Sequence, residues 1–182
     1  MTDTLTPLLV KWLTHDFATP IATVMTASEL LGDTADAEIN GLITDAARRL
    51  GGRLQLVRAA LAPGSGALGA AGLEKLLRAG LEGTPLVFDF GADFTATGPQ
   101  AAFIAGAAML LADLRRGQPL VVGRGGAHWT VPAALPETVA AAINGGGAAD
   151  SRSALATMVV RAATAAGMTL SITDNGLAWS EM

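Results

Sequence analysis

The side chains best placed to do chemistry lie together in "HDFATP", residues 15–20: a histidine, an acid beside it, a threonine and a proline. A neutral imidazole is a nucleophile near neutral pH. An adjacent carboxylate can accept a hydrogen bond from one ring nitrogen and leave the other free to attack. Thr19, one helical turn beyond His15, carries a hydroxyl on the same general side. Pro20 stands inside what otherwise reads as a long helix. There it removes the N–H that would bond to the carbonyl of Asp16, at a cost of about 3 kcal/mol. The sequence offers no packing gain in return, so Pro20 predicts a loosened or bent turn beneath the His-Asp pair. An exposed histidine is ordinarily just solvated. The acid and the proline set His15 apart.

Other chemistries find little support. The chain has no cysteine, which excludes disulfides, thiolate metal sites and thiol nucleophiles. No cluster of His, Asp and Glu has metal-ligand spacing. His128, beside Trp129 and alternating with apolar residues, reads as a structural or surface residue of a strand. The net charge of -4 argues against nucleic acid as the main partner. Ten of the twelve basic residues are arginines, so anion contacts are expected from guanidinium groups.

These residues need elements to position them. Val10, Leu13, Phe17, Pro20, Val24, Ala27 and Leu31 recur three and four apart, the spacing of a helical core stripe. Leu5, Leu8, Leu9 and Trp12 widen the apolar surface at its start. "GDTAD", residues 32–36, ends this helix and offers Thr34 or Asp36 as cap for the next. The second stripe runs Ile39, Ile43, Ala46, Leu50, Leu54, Val57 and Leu61. Residues 1–62 therefore read as a helical hairpin turning near Asp33. His15 falls on its outward side, level with Gly51, and Arg48, Arg49 and Arg53 lie within a turn of that level. These three arginines are candidates to contact a phosphate or an acidic partner. A lone hairpin buries too little surface to be stable, so a second copy completing a four-helix bundle is expected.

After the linker-like "APGSGALGAAG", residues 62–72, the character changes. A short helix over 73–81 precedes a strand in "TPLVFDF", and a helix follows with Phe103, Ile104, Ala107, Leu110, Leu111 and Leu114 on one side. "PLVVG" and "HWTVP" read as a hairpin. Two helices follow, near 136–143 and 153–166, and then "MTLSIT" and "LAWS" joined through "DNG". Residues 73–182 thus form an α+β domain of helices on one face of a sheet. The longest apolar run, residues 101–112, is short of the roughly 20 residues that span a bilayer. No secretory signal is recognised, and a cytoplasmic protein is expected.

"HDFATP" resembles the H-[DE]-x-x-x-P phosphoacceptor motif of histidine kinase dimerisation helices. With "SELL" at residues 28–31 and "RLQLVR" at residues 53–58, the chain resembles more closely the ChpT-type histidine phosphotransferases of alphaproteobacteria. The resemblance implies a dimeric phosphorelay carrier. It would accept a phosphoryl group from a receiver aspartate on His15 and pass it to another response regulator. It implies Asp16 as the acidic neighbour orienting the imidazole, Thr19 as a positioner of water, and magnesium supplied by the partner receiver. The second domain then resembles a degenerate GHKL ATPase. Its candidate N-box helix, residues 100–115, has no asparagine, and Asp113 is its only acid. The "DNG" and "GRGG" segments read as turns, so no nucleotide cofactor is expected. A non-catalytic adaptor that sequesters a response regulator is the alternative.

Overall fold

The structure, a computed structural model, describes residues 4–30, 37–62 and 64–182. The two N-terminal stripes form long helices, α1 (Leu5–Leu30) and α2 (Ala37–Leu61), packed along each other. The turn expected near Asp33, its caps Thr34 and Asp36, and Leu31 lie outside the described residues. Helical geometry continues through Pro20 without a break. The stripe is only partly covered: Ala27, Ala46 and Val57 are buried, while Val10 and Leu54 are about half exposed, at 55% and 48%. At the start of α1 the buried face is instead that of Leu5 and Trp12. The reason is that this end packs on the rest of the chain as well as on α2.

The remaining elements are β1 (Leu68–Gly69), α3 (Ala70–Gly80), β2 (Leu86–Asp89), β3 (Thr95–Ala96), α4 (Gly98–Leu114), β4 (Leu120–Gly123), β5 (Gly126–Trp129), α5 (Glu137–Ile143), α6 (Ser151–Ala165), β6 (Met168–Thr173) and β7 (Gly176–Glu181). The expected linker is shorter than its composition suggests. Leu68 and Gly69 pair with β3, and helix α3 begins at Ala70, because Ala70, Leu73 and Leu77 share a face that is buried. The main sheet has the order β2-β4-β5-β7-β6. Its first pair is parallel, crossing over through α4, and the other pairs are antiparallel. Leu120, Val122, Ala127, Trp129, Leu177 and Trp179 form its buried face.

Helix α4 is the centre of the molecule. Thr97 caps it in a reciprocal box with Gln100, and Pro99 occupies its first turn. Rather than presenting one apolar side, every residue from Ala101 to Ala112 is buried. It lies between the sheet and helices α2, α3 and α6, so a helix apolar all round is what this position requires. Trp12, Leu56, Val57 and Ala60 join α3, α4 and the sheet in one continuous core. Hairpin and α+β portion therefore share their interior across the linker.

The approach of α2 to α3 depends on two glycines. A Cβ on Gly52 would overlap the carbonyl oxygen of Ala79 and lie 2.7 Å from its carbon. One on Gly80 would run into Leu56. Among the described residues no helix is long and apolar enough to cross a membrane.

Candidate functional site

His15, Asp16, Thr19 and Pro20 line one wall of a cleft of about 450 Å³. Helix α2 supplies Asp45, Arg49 and Arg53, the loop after α3 supplies Glu82 and Gly83, the end of α4 supplies Asp113, and the turn after it supplies Arg116. The cleft thus opens where the hairpin meets the α+β portion. His15 is exposed, and among the described residues its side chain makes no hydrogen bond or ion pair. One ring nitrogen or the other is therefore available to an incoming group. Thr19 is exposed on the same wall.

Behind His15 lies a network that the sequence did not disclose. Arg53 donates from Nε to Asp16 at 2.7 Å and from Nη2 to its other oxygen at 3.3 Å. The same Nη2 donates to both carboxylate oxygens of Asp113, at 2.9 and 2.8 Å. The indole N–H of Trp12 donates to Asp113 at 3.2 Å, and the Arg53 guanidinium lies 5.6 Å from the Trp12 ring centroid. The side chains of Arg53, Asp16 and Asp113 are only 13%, 9% and 16% exposed. Charges this far from water need partners, and removing one partner of such a set costs about 3–5 kcal/mol. Burial raises the pKa of Asp113 above its ordinary value, outweighing the lowering by the Arg53 charge. Asp16 adds to the rise, and Arg116 opposes it.

This geometry bears on each expected residue. Asp16 was expected to orient the imidazole, but its carboxylate is bonded to Arg53, a fixed cation at its level on α2. Arg53, expected at a phosphate, is instead enclosed between two carboxylates. Arg48 pairs with Asp45 at 2.8 Å and Glu82 at 3.3 Å, and does not line the cleft. Arg49 does line it and sits 3.4 Å from Glu82, largely in solvent. Arg116 lines the cleft, is exposed, and has no carboxylate within ion-pair distance among the described residues. Nothing local in the sequence marks it, since the cation lies far along the chain in the turn after a buried helix. Asp113 had a signal: a lone acid on an apolar helix is expected to be paired. His128 lies in β5, opposite Val121 of β4, and is not part of the His15 cleft. Among the described residues no three His, Asp or Glu side chains are gathered as a metal would require.

No family model matches the chain, and no curated protein does. Among solved structures it is similar to one described as a bacterial phosphotransferase. The TM-score is 0.73 at 20% identity, over 98% of this chain and 96% of that one. The likeness is one of fold: a helical N-terminal region followed by a mixed α/β portion, over nearly the full length of both chains.

Proposed function

We propose that this chain is a histidine phosphotransferase of a bacterial phosphorelay, similar to the ChpT type, with His15 as the phosphoacceptor. The observation that carries the reading is an exposed, unbonded imidazole on the wall of a cleft, in a fold shared with a phosphotransferase. A receiver domain docks over the cleft and presents its aspartyl phosphate. The lone pair of a His15 ring nitrogen forms the N–P bond as the P–O bond to the aspartate breaks, and that bond's electron pair returns to the carboxylate. The reverse step loads a second receiver. The receiver supplies its own magnesium. Arg49 and Arg116, on the cleft, offer charge to the phosphoryl oxygens, since such transfer depends on positioning and charge stabilisation. On this reading Thr19 holds a water for dephosphorylation.

A second copy covers the half-exposed apolar stripe of the hairpin, giving a four-helix bundle homodimer. The α+β portion acts without ATP, because the one acid of α4 is taken up by Arg53 and Trp12. The protein works in the cytoplasm with soluble response regulators.

The test is transfer of label from phosphorylated receiver domains. Acid-labile, base-stable label is expected on the wild type and none on His15→Ala. Equal labelling of the mutant sinks the assignment. The engagement of Asp16 by Arg53, which leaves His15 without an orienting acid, favours as alternative a non-catalytic adaptor. That reading requires receiver binding that survives His15→Ala and no phosphohistidine on the wild type.

A further inference from the structure

The proposed phosphoacceptor lies on α1, yet the network behind it ends on α4, in the other portion of the chain. Asp113 is poorly placed for stability. It is the only acid of an otherwise apolar helix, and its side chain is 16% exposed. It also stands one residue before the end of α4, where the helix dipole disfavours negative charge. Its desolvation outweighs the attraction of Arg53, as its raised pKa records. Replacing such a buried ion set as a whole by apolar residues is often neutral or stabilising, whereas removing Asp113 alone leaves Arg53 one partner short. The groups facing Asp113 are Arg53 from α2, Trp12 and Asp16 from α1, and Arg116 from the turn after α4. Three of these four lie on the hairpin.

We infer that Asp113 is a positioning residue for the His15 site, acting through Arg53 on Asp16. Asp113 holds Nη2 of the guanidinium through both its oxygens, and the Trp12 N–H donates to one of them. Nε of the same guanidinium then has one direction left, toward Asp16 at 2.7 Å. This fixes the acid next to His15 with its charge matched by a cation. A dianionic phosphoryl group on the imidazole therefore does not meet an unneutralised carboxylate. It also gives the α+β portion a part in the chemistry that needs no nucleotide. The inference rests on the proposed role of His15.

The test uses phosphoramidate, a P–N donor that phosphorylates imidazoles without a partner protein; the ring nitrogen takes the phosphoryl group and ammonia leaves. The full-length protein is followed by intact mass and by phosphorus NMR. Asp113→Ala is expected to slow labelling of His15 by about 10- to 100-fold, the scale of a small misplacement at a reacting group. Asp113→Asn, which keeps an acceptor in the same place, is expected to recover most of the rate. In an Asp16→Asn background, Asp113→Ala should add nothing further, since its effect passes through Asp16. Trp12→Phe keeps the ring and loses the donor, and is expected to give a milder loss of the same kind. It carries the test if Asp113→Ala does not fold. Wild-type rates in folded Asp113→Ala or in Trp12→Phe overturn the inference. So does a loss that is equally large with and without the Asp16 carboxylate. Failure of the wild type to label at all overturns the role of His15 instead, which keeps the two failures distinct.

Discussion

Replacing Gly52 by alanine separates helix propensity from packing. In an exposed helix interior the change is favourable by about 1 kcal/mol, because glycine loses more backbone freedom on folding. At Gly51 a Cβ meets nothing within 4 Å, so that gain is expected in full. At Gly52 the new methyl would overlap the Ala79 carbonyl oxygen and lie 2.7 Å from the carbon, where ordinary contact begins at 3.4 Å. The obstacle is backbone within α3, so α2 and α3 must part by about 0.7 Å or more, the difference between those two distances. Overpacking of this kind costs about 1–3 kcal/mol. The net expectation is a loss of about 0–2 kcal/mol for Gly52→Ala against a gain of about 1 kcal/mol for Gly51→Ala. The displaced segment carries Arg53, so the link to Asp113 should lengthen too. Urea unfolding at one fixed protein concentration reads both variants, as midpoint shifts at constant slope. A Gly52→Ala variant as stable as Gly51→Ala would refute the claim that α2 and α3 touch through backbone at this point.

Further expectations follow from other contacts. Asp150 caps α6, with its carboxylate accepting from the Ser153 N–H at 2.7 Å, and Asp150→Ala should cost about 1 kcal/mol at neutral pH. The backbone bond from Ser153 lowers the pKa of Asp150. Its stabilisation is thus full above the ordinary carboxylate range and fades as pH falls through the lowered value. The gap between wild type and variant in thermal midpoints should therefore close in acid, and a gap independent of pH would contradict the cap. Arg116→Ala should leave stability within about 0.5 kcal/mol, as for an exposed residue. It should slow phosphoramidate labelling of His15 about tenfold, the value of one charge-assisted contact; unchanged labelling removes Arg116 from the site. Val10 and Leu54, on the stripes of α1 and α2, are 55% and 48% exposed. Glutamate at both should convert a dimer to a monomer by light scattering, and a wild type that is monomeric at every concentration refutes the bundle.

Much of this arrangement was legible in residue order. The two stripes, the apolar run of α4 and the turn residues between the last strands located the helices and most of the main sheet. Local signals are enough where a period or a turn decides the element. The alanine-rich start of α3 looked like linker because small residues serve loops and close-packed helices alike. The parallel pairing of β2 with β4 was not visible, since a strand of four residues carries no mark of its neighbour. At the site, His15 and its acid could be read from adjacency. That Asp16 faces Arg53, and Arg53 faces Asp113, depends on how the hairpin lies on α4. Partners 37 and 60 residues apart leave no local trace.

The shared core has a consequence for how such a site is used. An arm bearing a histidine on a flexible joint can be carried to its partners. Here Trp12, Leu56, Val57 and Ala60 are sunk in the same interior as α4 and the sheet. Lifting the hairpin away would expose them and part Arg53 from Asp113. On the proposed reading, the phosphoryl group is therefore exchanged at a stationary counter. The receivers come and go, and the tempo of the relay is set by their arrival and release rather than by motion inside this chain.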